Sequence, residues 1–469
     1  MARGRKKPVW RNNRIVFIGI LAGFLLLKTV SFHYSLTDED VYFYMGKILA
    51  DGKVPYRDFF FAHPPLGIIP NAVIFSLFGF NLVLLKSVTI VSYAISGCLL
   101  YRIVLKSADE KTALLASALF FFSFSTLTLS SYQCGMELTV LFMLAGFDLH
   151  LTKKHFASGL ALGLGAATGM YSLVLAGCLG LHLLWARRFR GAALYSLGFV
   201  LFMGAVSGFF YMLAGDEYLR DVFFYHVAKP GAPVHNSEVP LQVIGSDPQM
   251  FIPLLGVPLL ARGRKKDGFA VLTAYIVLAY ALFLLSLNVM FDYYFMLMIP
   301  FVCMLSAKSV MAVAGRCDGS LFRAAAASAV LLSLYWVLPP YLLQESVHFE
   351  NAAAVSDYIT ANAPSDALIY GDAKVAPLMS ILTGRGIALE ETDTSIMRFM
   401  SKTTGIDVML SRLRGTGRPI VLILHSKYGI WTLPDVREYV RNDCRPFVSF
   451  NERAYGEYNV FLCQKRKVG

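Results

Sequence analysis

The residues best suited to chemistry lie in the polar segment that follows the first apolar stretch of the chain. The segment begins with three consecutive acids, Asp38-Glu39-Asp40, and later contains Tyr56-Arg57-Asp58 and His63-Pro64-Pro65. A carboxylate can accept a proton from a reacting hydroxyl group. An arginine is suited to holding a phosphate through two parallel hydrogen bonds. This segment therefore supplies a candidate general base together with candidate anion ligands.

Each of these residues also has a simpler interpretation. The three acids could only complement the dipole of a helix N-terminus. Arg57 could pair with Asp58 or Asp51, and His63 could cap the turn formed by the two prolines. The same holds further along the chain, where Glu137 could be an ordinary acid at a helix N-terminus. His226 could be a surface contact on an amphipathic segment.

The composition of the chain indicates that this polar segment belongs to a membrane protein. The chain has 469 residues, of which 56% are hydrophobic and only 16% charged, and its mean hydropathy is +0.56. Soluble domains carry about a quarter charged residues. Apolar runs long enough to cross a bilayer recur from Val16 to Leu343. We therefore predict a polytopic α-helical membrane domain over residues 1–343 and a separate α/β domain over residues 344–469.

The positive charge supports this division. The net charge of +12 is concentrated in short basic clusters between apolar runs, which is typical of cytoplasmic loops. No basic face with interleaved aromatic residues is present, so the sequence argues against nucleic acid as a partner. The basic clusters are Arg3–Lys7, Arg102–Lys111, Lys153-Lys154, Arg187–Arg190, Arg262–Lys266 and Arg316–Arg323.

These clusters all fall on one side of the membrane if the chain has eleven spans. That assignment puts the N-terminus inside, and puts the loops 31–65 and 215–249 and the C-terminal domain outside. Leu66 to Phe80 is treated as interfacial or re-entrant, and Phe156 to Ala186 as two helices that turn near Gly169. The predicted spans are 15–30, 84–105, 112–130, 138–152, 156–170, 171–186, 192–214, 250–261, 268–288, 293–313 and 322–343.

A short amphipathic helix at the outer membrane surface is expected to carry the three acids. Thr37 is a good N-cap, with Asp40 three residues later in a near capping box. Gly52 suits the C-terminal end of the helix. The apolar residues between them fall on one helical face: Val41, Met45, Ile48 and Leu49.

The combined pattern of this loop resembles a known family. Asp38-Glu39, a Tyr-rich helix, Gly52, Pro55-Tyr56-Arg57-Asp58 and His63-Pro64-Pro65-Leu66 resemble the first outer loop of type-C membrane glycosyltransferases. The likeness is greatest to the group of protein O-mannosyltransferases and lipid A aminoarabinose or galacturonic acid transferases. It continues at Glu137, at Phe223-Phe224-Tyr225-His226 and at Asp292-Tyr293-Tyr294.

The resemblance implies an inverting transfer of one sugar from a polyprenyl-phosphate donor to an acceptor lipid, glycan or protein. It implies that Asp38 is the general base and that Glu39 and Glu137 orient the base or the sugar. Six further residues are expected to bind substrate: Arg57, Tyr56, His63, His226, Lys229 and Tyr293. The chain departs from its relatives at Thr168-Gly169-Met170, where they often carry a lysine. A divalent cation on Asp38, Glu39 and His226 is conceivable, but none is expected to be obligatory.

The C-terminal domain is predicted to alternate helices and strands. Helices are expected at Asn351–Ala361 and Asp435–Arg441, and strands at Ala367–Tyr370, Ile420–Leu424, Val448–Phe450 and Asn459–Leu462. Cys444 and Cys463 could pair in an oxidising exterior. We assign acceptor binding or stabilisation to this domain.

Two other classes of function compete with an enzyme. A transporter or flippase would explain many helices, but it would usually place ionisable residues inside the spans. The predicted spans are nearly free of charge, and the acids cluster in the outer loops. A non-catalytic scaffold that displays the C-terminal domain would not depend on Asp38.

Overall fold

A computed structural model of the protein describes residues 9–230, 233–257, 267–314, 334–401, 405–453 and 455–464. Two of the predicted inner loops, Arg262–Lys266 and Arg316–Arg323, lie outside the described residues. So do part of the predicted span 250–261 and the first half of the predicted span 322–343.

The described chain up to residue 345 is almost entirely helical. A large apolar core of residues from α1, α4, α5, α7, α9, α15 and α16 holds these helices together. The helices are α1 Val9–Leu27, α2 Glu39–Ala50, α3 Ile69–Phe78, α4 Leu82–Ser107, α5 Glu110–Phe121, α6 Phe124–Leu129, α7 Glu137–Leu151, α8 His155–Thr168, α9 Ser172–Trp185, α10 Phe189–Ala214, α11 Asp216–Leu219, α12 Tyr225–Ala228, α13 Pro233–Ser246, α14 Pro248–Phe251, α15 Gly268–Leu285, α16 Ile299–Ala314 and α17 334–345.

Four of the described helices are long and apolar enough to cross a membrane. These are Asn13–Ser31, Leu82–Ser107, Phe189–Ala214 and Gly268–Leu285. The stretch from Phe156 to Ala186 forms two helices, α8 and α9, separated at Gly169 as predicted. A Cβ at Gly169 would lie 2.4 Å from the hydroxyl of Thr139 in α7. The close approach of α7 therefore requires a glycine at this turn. The total of eleven spans stays a prediction.

One predicted outer loop contains more helix than the sequence indicated. Residues 215–249 include the helix α13, whose Val239 and Val243 are buried in the large apolar core. Asp247, just after α13, fixes this segment to α6, because its carboxylate accepts hydrogen bonds from the backbone N–H groups of Phe124 (2.6 Å) and Ser125 (2.9 Å).

The C-terminal α/β unit, residues 352–463, contains a four-stranded sheet in the order β1-β2-β4-β3. β1 pairs with β2 in parallel, and β4 is antiparallel to both β2 and β3. Cys444 and Cys463, whose pairing the sequence left open, form a disulfide between paired positions of β3 and β4. The elements are α18 Ala352–Asn362, β1 Leu368–Gly371, α19 Ala376–Thr383, α20 Ile396–Met400, α21 Ile406–Gly415, β2 Ile420–His425, α22 Pro434–Asp443, β3 Cys444–Glu452 and β4 Gly456–Cys463.

Helix α2 lies between the helical bundle and the α/β unit. One apolar core contains residues of α2 together with residues of β1, β2, α21 and α22. The Tyr44 hydroxyl of α2 accepts a hydrogen bond from the backbone N–H of Ile387 (2.9 Å). On its other side α2 approaches α3 so closely that a Cβ at Gly46 would lie 2.4 Å from the Cβ of Asn71.

We expect Gly46→Ala to destabilise the protein by about 1–3 kcal/mol, because an added methyl group would force α2 away from α3. Thermal unfolding in detergent would measure this change. Gly208→Ala in α10 is the matched control, since a Cβ there meets no atom within 4 Å. Equal midpoints for both variants would contradict the close packing of α2 on α3.

Candidate active site

Asp38 stands immediately before α2 and caps it with its backbone rather than with its side chain. The Asp38 carbonyl accepts hydrogen bonds from the N–H groups of Val41 (3.1 Å) and Tyr42 (3.4 Å), whereas its carboxylate makes no capping hydrogen bond. No described residue donates a hydrogen bond to this carboxylate. The side chain is therefore free to receive a substrate proton.

The Asp38 carboxylate opens into a polar cavity of about 430 Å³ between α2 and the α/β unit. We call this the polar cavity. Its lining includes acids, hydroxyl groups and aromatic rings: Asp38, Asp372, Ala373, Lys374, Thr394, Ser395, His425, Tyr428, Gly429, Tyr455 and Tyr458.

The surroundings of Asp38 favour its protonated form relative to a carboxyl in water. Enclosure by protein raises the pKa of Asp38 although the side chain is exposed to the cavity. Lys374 opposes this shift and Asp393 adds to it. A raised pKa makes the ionised carboxylate a stronger proton acceptor, which suits a general base.

Glu39 points away from the polar cavity. Its carboxylate forms an ion pair with Lys86 of α4 (2.8 Å), and both side chains are 1% exposed. Ser35 donates a hydrogen bond to Glu39, and Lys86 also donates to the backbone carbonyl of Ser131 (3.1 Å). The predicted spans are nearly free of charge, and Lys86, which is buried in a long apolar helix, is an exception.

Arg57 does not line the polar cavity or the second cavity described below. The Arg57 side chain is half exposed and forms a two-point ion pair with Asp58, at 3.0 Å and 2.9 Å. The contact agrees with the simpler of the two interpretations given for Arg57, in which it pairs with a neighbouring acid. Tyr56 is buried, and its hydroxyl donates a hydrogen bond to the backbone carbonyl of His63 (2.8 Å). Tyr56 therefore shapes the loop that carries His63.

His63, His226 and Lys229 meet at a second cavity of about 410 Å³, which we call the apolar cavity. The rings of His63 and His226 lie 5.4 Å apart, and the Lys229 ammonium lies 4.8 Å from the centre of the Tyr225 ring. Most of the remaining lining is apolar or aromatic: Pro64, Met170, Tyr171, Leu173, Val174, Val222, Phe223, Val227, Phe283, Ser286, Leu287, Asn288, Val289 and Tyr294.

Of His63, His226 and Lys229, only Lys229 brings a charge to the apolar cavity. Burial lowers the pKa of His226 to about 4 and that of His63 well below its usual range, so both imidazoles are neutral at pH 7. Burial also lowers the pKa of Lys229, but Asp393 and Asp38 oppose this shift. No described carboxylate forms an ion pair with Lys229. An anion entering this cavity would therefore meet one cation and two neutral rings.

A single turn of π-helix, Arg220–Phe224, directs His226 toward the first outer loop. Turns of π-helix are rare in proteins, and those that do occur are often located at functional sites. Nε2 of His226 donates a hydrogen bond to the backbone carbonyl of Ala62 (2.6 Å), next to His63. The loop 31–65 and the residues before α13 thereby form one wall of the cavity.

Glu137 and Tyr293 line neither the polar cavity nor the apolar cavity. Glu137 is fully buried at the N-terminus of α7, close to the backbone N–H groups of Cys134 and Gly135. Tyr293 stacks on Phe291 with ring centres 5.3 Å apart and is close enough to Asp38 for an electrostatic interaction. Their predicted roles in orienting the base and in binding substrate stay predictions.

The residues that the α/β unit contributes to the site were not predicted from the sequence. Asp372 and Lys374 line the polar cavity, and Asp393 influences the charge of both Asp38 and Lys229. Asp372 directly follows β1, where ligand-binding residues often occur in sheets with parallel strands. The position of Asp372 after a predicted strand was the feature of the sequence that could have indicated a binding residue. No group of three His, Cys, Asp or Glu side chains in the described part of the chain is arranged to hold a metal ion.

Comparison with solved structures identifies the fold. ArnT from Cupriavidus metallidurans matches with a TM-score of 0.68 in its apo state and 0.65 when bound to undecaprenyl phosphate. Each match has 14% identity and covers 95% of this chain and 97% of ArnT. The archaeal oligosaccharyltransferase AglB from Archaeoglobus fulgidus, in complex with an inhibitory peptide and a dolichol-phosphate, matches with a TM-score of 0.53 and 10% identity, over 94% of this chain and 74% of AglB.

The chain therefore has the type-C fold of membrane glycosyltransferases, which confirms the predicted resemblance of the chain to that group. Within this class, residues 61–241 match the model of glycosyltransferase family 87. The matched region contains His63, His226 and Lys229. A comparison with curated proteins finds no significant sequence match.

The ion pair between Glu39 and Lys86 yields a stability prediction. Lys86→Met should lower the free energy of unfolding by about 3–5 kcal/mol, because it leaves the Glu39 charge buried and unpaired. The double variant Glu39→Gln/Lys86→Met should be much less destabilised, since the introduced amide oxygen can still accept the hydrogen bond from Ser35. Unfolding of both variants in detergent checks this pair. A double variant as unstable as the single variant would show that the charges do not depend on each other.

Proposed function

We propose that this protein is an inverting glycosyltransferase that moves one monosaccharide from a polyprenyl-phosphate donor to an acceptor on the outer face of the membrane. The observation that carries the proposal is that Asp38 and Lys229 are within electrostatic range of each other while lining two unlike cavities. Asp38 lines the polar cavity and Lys229 lines the apolar cavity, and each influences the charge of the other. A candidate base and a cation therefore belong to one electrostatic environment, and each lines a cavity of its own.

The apolar cavity suits a lipid-linked phosphate. Its apolar lining can bury part of an isoprenoid chain, while Lys229 can neutralise the phosphate at one end. His63 can donate a hydrogen bond, because no described residue occupies its imidazole nitrogens. The ArnT structure that matches this fold contains undecaprenyl phosphate, which supports a donor of the same chemical class here.

The chemistry would proceed as a single displacement. Asp38 takes the proton from the acceptor hydroxyl while its oxygen forms a bond to the anomeric carbon. The bond between that carbon and the phosphate oxygen breaks, and its electron pair stays on the phosphate. Lys229 stabilises the negative charge that develops there. Attack opposite the departing phosphate inverts the anomeric carbon.

A transporter or flippase for a lipid-linked or small substrate is the alternative. The argument against a transporter was that the predicted spans are nearly free of charge. Lys86 weakens this argument because it is a buried charge within the helix Leu82–Ser107. However, Lys86 is neutralised by Glu39 and lines neither the polar cavity nor the apolar cavity, which argues against a transport path at this residue. Offering the purified protein a panel of polyprenyl-phosphate sugars would decide the matter, because only a transferase releases the lipid phosphate. We expect release to persist when divalent cations are chelated.

Asp38→Asn should reduce turnover by about 10²–10⁴-fold while donor binding survives, because the amide cannot accept the proton. Glu39→Gln should be milder, since Glu39 acts through the position of α2. Single-turnover rates and donor affinity would separate the two effects. If Asp38→Asn turns over at nearly the normal rate, Asp38 is not the base.

Lys229→Ala should weaken binding of undecaprenyl phosphate about tenfold or more, because a buried cation loses its contact with the phosphate. Arg57→Ala is the matched control and should leave the affinity unchanged, since Arg57 pairs with Asp58. Binding would be measured with the full chain in detergent. Loss of affinity in Arg57→Ala but not in Lys229→Ala would return the phosphate contact to Arg57.

We also propose eleven spans, a cytoplasmic N-terminus and an extracytoplasmic C-terminal domain. The disulfide between Cys444 and Cys463 supports an oxidising location for this part of the chain. Cysteines introduced at Asp51 and Ser365 should react with an impermeant thiol reagent added outside intact cells, and one at Gly263 should not. Labelling of position 263 from outside would overturn this topology.

A further inference from the structure

The polar cavity lies at the carboxyl ends of two parallel strands. β1 and β2 pair in parallel from Leu368–Ile420 to Gly371–Ile423. Asp372 follows the end of β1, and His425 ends β2, so both residues face the same edge of the sheet. Crevices at this edge are the usual binding sites of sheets with parallel strands. Asp38 closes the opposite side of the crevice.

The backbone around Asp372 keeps one carboxylate oxygen available. Oδ1 of Asp372 accepts a hydrogen bond from the Lys374 N–H (2.9 Å). Oδ2 faces Gly429, where a Cβ would lie only 3.2 Å away, and Gly429 has a φ of +66° that favours glycine. A side chain at position 429 would crowd this oxygen. Glycine therefore leaves the Asp372 Oδ2 open to the cavity.

His425 holds an aromatic ring at the rim of the cavity. Its Nδ1 accepts hydrogen bonds from the N–H groups of Lys427 (3.0 Å) and Tyr428 (3.1 Å), and its Nε2 donates to the Tyr455 carbonyl (2.6 Å). Both nitrogens are thus used to shape the loop. The Tyr428 ring lies 4.8 Å from the imidazole and is 68% exposed, so one face of this ring is open.

This set of groups matches the surface of a sugar. Carboxylates accept hydrogen bonds from sugar hydroxyls, hydroxyl groups both accept and donate them, and an open aromatic ring can cover the apolar face of a pyranose. Two carboxylates, Asp38 and Asp372, share the lining with a single lysine, Lys374. A phosphate would meet repulsion from both acids. The volume of about 430 Å³ is within the range of small-ligand sites.

We infer that the polar cavity binds the acceptor through an uncharged, hydroxyl-bearing saccharide, held by Asp372 and Tyr428 with one hydroxyl at Asp38. The inference rests on the proposed function and adds the acceptor class to it. It disfavours a phosphorylated lipid head group as the group that enters this cavity.

The test compares neutral and phosphorylated sugars on the full chain in detergent. Glucose, mannose, galactose and N-acetylglucosamine are each paired with their 6-phosphates, and binding is followed by saturation-transfer NMR. At least one neutral sugar should bind, and its 6-phosphate should bind at least tenfold more weakly. Asp372→Asn should weaken binding of the neutral sugar about tenfold, since a hydrogen bond to a charged group is lost.

Two variants keep the result interpretable. Asp372→Asn preserves the acceptor for the Lys374 N–H, and Tyr428→Ala changes an exposed ring, so both should fold and both should weaken sugar binding. Arg57→Ala is the control and should bind sugar normally. The inference is overturned if phosphorylated sugars or a serine-containing peptide bind better than neutral sugars, or if both variants bind sugar as well as the unaltered protein.

Failure of this inference can be separated from failure of the proposed function. Undecaprenyl phosphate binding, and its dependence on Lys229, is measured on the same samples. If the lipid binds through Lys229 but no neutral sugar binds, the acceptor assignment is wrong while the donor assignment stands. If the lipid does not bind, the proposed function itself is contradicted.

Discussion

The buried ion pair between Glu39 and Lys86 determines the direction of the residue beside it. Removing two charges from water costs several kcal/mol for each ion, so the pair requires close contact and additional hydrogen bonds. Lys86 obtains them from Glu39, Ser35 and the Ser131 carbonyl. These contacts fix the N-terminus of α2 to the helical bundle. Asp38, one residue earlier, is left on the opposite side with its carboxylate free.

Helix α2 is consequently shared between the two parts of the chain rather than peripheral to the membrane half. Gly46 allows it to lie against α3, and Tyr44 bonds to the backbone of the α/β unit at Ile387. The same helix thus fixes the height of Asp38 above the bundle and its distance from β1 and β2. The apolar core that joins α2 to the sheet explains why the polar cavity has walls from both parts of the chain.

Much of this architecture could be predicted because local pattern determines it. The turn at Gly169 and the strands at 368–371 and 420–425 follow from glycine positions and hydrophobic runs, whereas the sequence left open whether Cys444 and Cys463 pair. The side-chain partners of the charged residues could not be predicted in this way. Arg57 was a plausible phosphate ligand by residue type, but its neighbour Asp58 satisfies it locally. Lys86 stands in the first turns of an apolar helix, and its partner is 47 residues away.

The division between the two cavities also determines what else can react. In the proposed mechanism, the carbon that accepts the new bond would lie between the apolar cavity and the polar cavity. Water that entered the polar cavity before an acceptor would stand beside Asp38, and a carboxylate that activates an alcohol would activate a water molecule as well. Hydrolysis of the donor would then be the side reaction of this mechanism. A bound acceptor would suppress it by occupying the volume that the water would need.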